Sequence, residues 1–201
     1  MQYKIIFDIG NVLLTWKPEV FITQVPRVSE ALGNIKQNHL FLSLWDQFDQ
    51  GLLSEVELVS SLSQRAHLSV RELQQFMVMA KTSLLSVAGA LTLLGDLASS
   101  GYALYCITNM SESFYQFLVK RYQFWQYFRR IVVSGQLKIN KPDVRIFQYL
   151  LNKEGLQAKD CIFIDDKADN IAGASQLGFN TIQFFSTEQL LFALKEYHID
   201  V

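Results

Sequence analysis

Charge is scarce in this chain. Only 18% of its 201 residues are charged, and 18 basic side chains nearly cancel 19 acidic ones, leaving a formal charge of -1. A field that small recruits neither nucleic acid nor an anionic membrane, so neither is expected as a partner. Cysteine is scarcer: Cys106 and Cys161 are the only two, too few for a disulfide scaffold or a structural zinc site. The histidines, His39, His67 and His198, stand far apart and show no metal-ligand spacing. No long hydrophobic run is present either. The most apolar stretch, Leu84 to Ala98, is interrupted by Ser86, Gly89, Thr92, Gly95 and Asp96. It falls short of the roughly 20 residues that cross a bilayer. Asp8 interrupts what would be the apolar core of a signal peptide, so none is read. The expectation is a soluble, cytoplasmic protein with reduced thiols. Walker and GxGxxG motifs are missing too.

What the chain has in quantity is apolar surface. Half of its residues are hydrophobic, far too many for a disordered polymer. Its length suits one domain, or one domain carrying a smaller insert. Short, β-branched or aromatic runs recur at Tyr3 to Phe7, Tyr102 to Ile107, Ile131 to Val133, Cys161 to Ile164 and Thr181 to Phe185. Nearly continuous apolar runs of this length read as strands buried on both faces of a parallel sheet. Helices are predicted between them, over Ser86 to Ser99, Ser111 to Tyr122, Pro142 to Glu154 and Ala168 to Leu177. Ser111 is the expected N-cap of the second, and Pro142 is expected in the first turn of the third. The alternation defines an α/β class. Residues 16–85 break it. They hold no convincing strand, and Ser54-x-x-Glu57 and Ser69-x-x-Glu72 read as capping boxes opening helices.

Polar residues gather where the strands are predicted to end. Asp8 follows the first strand, Thr108-Asn109 the second, Lys141 lies beyond the third, and Asp165-Asp166 follow the fourth. Ligands of open parallel sheets bind outside those carboxyl ends. Carboxylates crowded there need a compensating divalent cation, and Mg²⁺ suits oxygen ligands. Lys141 offsets charge on a phosphate or on Asp8. The Thr108 hydroxyl and Asn109 amide are candidate donors to phosphate oxygens. One carboxylate attacking phosphorus gives an aspartyl-phosphate. The inventory points to phosphoryl transfer.

These residues resemble the four motifs of the haloacid dehalogenase-like hydrolase superfamily. Phe7-Asp8-Ile9-Gly10-Asn11-Val12-Leu13 is similar to the first, Thr108-Asn109 to the second, Lys141-Pro142-Asp143 to the third, and Phe163-Ile164-Asp165-Asp166-Lys167-Ala168-Asp169-Asn170 to the fourth. The resemblance implies a Rossmann-like three-layer parallel sheet core over residues 1–15 and 86–201, with an inserted all-helical cap over 16–85. It implies Asp8 as nucleophile, Thr108 as phosphate ligand and Lys141 steadying both. It implies Mg²⁺ held by Asp8, Asp166 and the Gly10 carbonyl, with Asp165 in the outer shell. The substrate is expected to be a small phosphorylated metabolite, bound by a monomer or weak homodimer.

The departure is Gly10, where phosphatases of this superfamily usually carry a second Asp as general acid and base. The D-x-G-N-V variant resembles a branch containing sugar-1-phosphate phosphatases, whose leaving group needs little protonation. A substitute acid is also available in Trp45-Asp46-Gln47-Phe48-Asp49, with Asp49 or Asp46 reaching the site from the cap. Two rival readings are a metal-independent 2-haloacid dehalogenase, in which Asp8 attacks carbon, and a non-catalytic phosphometabolite-binding protein. The aromatic cluster from Phe114 to Phe128 is expected to pack on the sheet.

Overall fold

A computed structural model describes residues 2–201. Five strands, β1 (Lys4–Phe7), β2 (Ala103–Thr108), β3 (Phe128–Val133), β4 (Cys161–Asp165) and β5 (Asn180–Gln183), form one sheet in the order β3-β2-β1-β4-β5. Every neighbouring pair is parallel. All five residues of β4 are buried, because both faces of the sheet are covered. The faces separate by alternation. Ile5, Phe7, Leu104, Cys106, Ile162 and Ile164 belong to one apolar cluster, and Ile6, Tyr105, Ile107 and Phe163 to another.

Helices α1 (Pro18–Phe21), α2 (Pro26–Leu32), α3 (His39–Asp49), α4 (Glu55–Ala66) and α5 (Val70–Thr82) follow β1. The remainder are α6 (Ala90–Ser99), α7 (Glu112–Arg121), α8 (Ser134–Leu137), α9 (Val144–Glu154), α10 (Ala168–Ser175) and α11 (Thr187–Lys195). Leu94 and Leu97 of α6, Phe114 and Leu118 of α7, and Leu190 and Leu194 of α11 join the first cluster, whereas Ile146, Phe147 and Leu150 of α9 join the second. Helix, sheet and helix make three layers, as expected. The first cluster continues without a break into α3, α4 and α5 through Phe41, Leu58 and Phe76.

The chain leaves the sheet for this helical segment and returns to it at one place. The Thr15 N–H donates to the Leu85 carbonyl at 2.7 Å, and the Val87 N–H to the Leu13 carbonyl at 2.9 Å. Leu14 bridges Gly10 on one side and Ser86 on the other. This pairing explains why α6 begins at Ala90 and not at Ser86. Residues 86–89 are held extended beside the outgoing chain, and Gly89 turns at φ +74° to start the helix. A second boundary also differs. Pro142 precedes α9, whose N-cap is Asp143, its carboxylate accepting from the Arg145 N–H at 2.9 Å. The Ser111 cap of α7 and both capping boxes are present. The predicted fifth strand is shorter than expected, and Phe185 beyond it is 72% exposed. Among the described residues, no helix is long and apolar enough to cross a membrane.

The capping box of α5 makes a pH-dependent prediction. The Ser69 hydroxyl and backbone N–H hold the Glu72 carboxylate below the usual glutamate pKa. A depressed carboxylate stabilises the fold above its unfolded pKa and loses that contribution as pH falls through the folded value. Ser69→Ala is expected to cost about 1 kcal/mol at pH 7. Urea unfolding should show the difference shrinking in acid, once Glu72 is protonated.

Candidate active site

In this strand order the connection from β1 runs to one side of the sheet while β4 lies on the other. Ligand crevices form at such a switch point. Asp8 leaves β1 and Asp165-Asp166 end β4, so adjacent strands bring the three carboxylates together. Each offers an oxygen within 4.8 Å of the others. The Asp8 N–H donates to the Ile164 carbonyl at 2.9 Å, extending the β1–β4 ladder by one residue and fixing the start of the turn.

Lys141 reaches into this cluster from the loop before α9. Its Nζ lies 2.9 Å from Asp8 Oδ1 and 2.7 Å from Asp165 Oδ2, and donates to the Ile107 carbonyl at 2.9 Å. All three of its N–H donors are satisfied, which a buried ammonium requires. Burial opposes its charge, but attraction by Asp165 and Asp8 prevails and raises its pKa above the lysine value. Asp8 is raised above the carboxylate range by burial, against the pull of Lys141. Burial also raises Asp166, opposed by the hydrogen bond from Asn11.

Asp165 is wholly buried and fully engaged. Its oxygens accept from Lys141, from the Asn170 amide at 2.9 Å and from the Lys167 N–H at 2.9 Å. Asp8 and Asp166 are each held through one oxygen by a side chain, Lys141 and Asn11 respectively. Two carboxylates with oxygens to spare, backed by a third that is not, form a donor set that fits Mg²⁺, which takes one or two carboxylates and keeps water.

Asn109 is tied to the Lys141 backbone. Its amide nitrogen donates to the Lys141 carbonyl at 2.9 Å, and its amide oxygen accepts from the Lys141 N–H at 2.8 Å. It clamps the Lys141 backbone and keeps its second amide N–H on the cavity wall. Thr108, at the end of β2, is 1% exposed, and its hydroxyl has no hydrogen-bond partner among the described residues.

A cavity of about 390 Å³ opens over this cluster. Asp8, Gly10, Asn109, Lys141 and Asp166 line it, and Asp46 and Asp49 line it from α3. Thr108 and Asp165 are not on its wall. Polar contacts fasten the end of α3 to α8 and the residue after it. The Ser134 hydroxyl donates to the Asp49 carbonyl at 2.6 Å, Gln50 donates to the Lys138 carbonyl at 2.9 Å, and Lys138 Nζ donates to the Gly51 carbonyl. Gly51 lies at φ +71°, and a Cβ there would overlap the Gly135 carbonyl oxygen. Asp49 is half-buried, and desolvation raises its pKa to about 8 against the attraction of Lys167. Asp46 and Asp8, both acidic, raise it further. At Gly10 an added Cβ would meet nothing within 4 Å.

Sequence reasoning missed three contributors. Asn11 holds a left-handed turn at φ +56° and donates to Asp166 at 3.1 Å. Asn170 braces Asp165 from α10, and Lys167 lines the cavity. All three lie inside the motif stretches, where only the carboxylates stood out. His39 and His67 are exposed and do not line the cavity.

A family model described as haloacid dehalogenase-like hydrolase matches residues 5–184. The chain belongs to that family. Among curated relatives, drimenol cyclase drtB of Aspergillus calidoustus is 26% identical over 193 residues, covering 94% of this chain and 35% of the cyclase. The chain therefore spans about a third of that protein. Sesquiterpene phosphatase astK of Aspergillus oryzae is 30% identical over 174 residues, covering 86% of this chain and 85% of the phosphatase. A haloacid dehalogenase family enzyme of Bacteroides thetaiotaomicron shares the fold at a TM-score of 0.81 and 21% identity, over 96% of this chain and 98% of the other. That bacterial protein has also been crystallised with magnesium and inorganic phosphate.

Replacing Lys141 by methionine tests the cluster. It leaves Asp8 and Asp165 crowded without their shared cation. Breaking a buried ion pair from one side costs roughly 3–5 kcal/mol. Lys141→Met is expected to lose stability on that scale by urea unfolding at pH 7, and to recover part of it at pH 5 as a carboxyl takes up a proton.

Proposed function

We propose that the protein is a Mg²⁺-dependent phosphomonoesterase working through an aspartyl-phosphate on Asp8. The observation that carries the reading is the pairing of Asp8 and Asp166, each with an oxygen to spare, against an Asp165 already engaged by Lys141 and Asn170. A dehalogenase has no evident use for Asp166 so placed. Halide release from a 2-haloacid without added metal would favour that rival.

In the proposed reaction a carboxylate oxygen of Asp8 bonds to phosphorus as the bond from phosphorus to the ester oxygen breaks. Lys141 holds Asp8 in position and balances its charge. The Thr108 hydroxyl, at the end of β2, donates to the phosphoryl oxygens. Magnesium, held by Asp8, Asp166 and the Gly10 carbonyl, would supply the positive charge that lets an anionic carboxylate approach an anionic ester. Water then attacks phosphorus, releasing phosphate and restoring the Asp8 carboxylate.

The departing alkoxide needs a proton, and Gly10 has none to give. By itself Gly10 favours an ester that departs with little protonation, such as a sugar 1-phosphate. Asp49 widens that range. It faces the same cavity from α3, and its raised pKa of about 8 keeps it protonated through neutral pH. It gives its proton to the leaving oxygen and as a carboxylate takes one back from the attacking water. Residues 16–85 then act as a cap that carries the acid. The name of the A. oryzae relative agrees with a phosphatase.

Asp8→Asn is expected to abolish phosphate release, and removing magnesium with EDTA to do the same. Asp49→Asn is expected to lower kcat on alkyl phosphates by roughly 10²–10⁴-fold. The acid works only when protonated, so wild-type kcat should fall above pH 8, and Asp49→Asn should lose that limb. The open space at Gly10 gives a check on role. Adding Gly10→Asp to Asp49→Asn should restore activity, which a merely structural role for Asp49 would not allow.

A further inference from the structure

The cavity is built of two unlike ends. Its polar floor comes from the loops at the sheet, and its opposite wall is apolar. Trp16, Phe41, Trp45 and Phe114 form a continuous aromatic surface there. Ring centroids lie 5.2 Å apart for Trp16 and Trp45, 5.1 Å for Phe41 and Trp45, and 5.7 Å for Trp45 and Phe114. Aliphatic side chains, Ile35, Leu42, Leu84 and Met110, extend that surface. Leu42 is 42% exposed and stands at the mouth.

The polar side chains on the helical wall already have partners or a role. Lys36 Nζ pairs with Glu19 at 3.1 Å, and Asp46 Oδ1 accepts from the Asn140 amide at 2.8 Å. Asp49 is the proposed proton donor. Among the described residues, this wall adds only the indole N–H groups of Trp16 and Trp45 as donors, too few to replace the water around a ring of hydroxyls. Burying hydroxyls without partners is unfavourable. An aromatic wall alone could stack on the carbon face of a sugar, but Ile35, Leu42, Leu84 and Met110 offer it nothing.

We infer that the preferred substrate is the phosphate monoester of an apolar alcohol, its carbon skeleton lying along this wall while the phosphate sits over Asp8. The inference rests on the phosphatase reading and adds the class of leaving group. The chain runs from Asp8 past Trp45 toward Leu42, and a skeleton too long for the cavity emerges at that mouth. At roughly 30 Å³ per heavy atom, taking the share of a water molecule in the liquid, 390 Å³ holds about a phosphate and eight carbons.

The test uses the full chain with Mg²⁺ and four phosphates: acetyl, ethyl, n-octyl and glucose 6-phosphate. Ethyl, octyl and glucose 6-phosphate all release a primary alcohol, so the reacting bond is of one kind. Acetyl phosphate reports the chemistry at Asp8 without a skeleton. Each methylene buried against the wall should raise kcat/KM about threefold to fourfold. Octyl phosphate is therefore expected to exceed ethyl phosphate by about 100-fold or more, and to exceed glucose 6-phosphate. Leu42→Asn, a change at an exposed site, should cut the octyl-to-ethyl ratio about threefold to fivefold. Turnover with no rise along the alkyl series, or with glucose 6-phosphate ahead, overturns the inference and leaves the phosphatase reading intact. Failure to release phosphate from all four, acetyl phosphate included, overturns the phosphatase reading and this inference with it.

Discussion

One lysine holds the site together. Lys141 Nζ bridges Asp8 and Asp165 at 2.9 and 2.7 Å and is almost wholly buried. Without a cation there, two carboxylates at adjacent strand ends would repel each other in a medium that screens poorly. Sheet, turn and loop all serve that contact. The β1–β4 pairing sets the carboxylates side by side, and the Ile107 carbonyl fills the last valence of the ammonium. Asn109 pins the lysine backbone from both its amide atoms. The desolvation cost is tolerable only because each donor finds an acceptor. Such an arrangement contributes less to net stability than to placing one oxygen of Asp8 toward the cavity.

The reacting end was legible because it is local. Asp8, Lys141 and Asp165-Asp166 each follow a strand or sit in a short loop, so an apolar run ending in a polar residue marks them. The three-layer architecture was legible for the same reason. What escaped was non-local. The true start of α6 depends on Ser86 meeting Leu14, more than seventy positions away, and no local pattern announces it. The use of Asn109 depends on where Lys141 comes to rest. The aromatic wall was hidden by its own periodicity. Phe41 and Trp45 are four residues apart on α3, a spacing that any buried helix face shows. Only the fold brings Trp16 and Phe114 to the same surface.

The charged floor of the cavity and most of its aromatic wall are thus drawn from different parts of the chain. Residues at the sheet ends carry most of the charge, and they face α3, which brings two carboxyls and much apolar surface. The same end of α3 is anchored to α8 and the residue after it through the Asp49 and Gly51 carbonyls. A single short stretch therefore both lines the cavity and fixes its distance from Asp8. Backbone-to-backbone approach at Gly51 leaves no room for any other residue to mediate that contact.

The neck at Leu14 and Ser86 has a consequence for how such a protein changes over time. The outgoing and returning strands are already hydrogen-bonded to each other, so the sheet sees the intervening segment as a closed loop whatever its length. Loop closure depends only weakly on the number of residues enclosed. Insertions, deletions or wholesale replacement between those two points leave the entropy of the core almost untouched. The helical segment that walls the cavity is free to diversify, while the carboxylate cluster at the sheet ends is not asked to adjust.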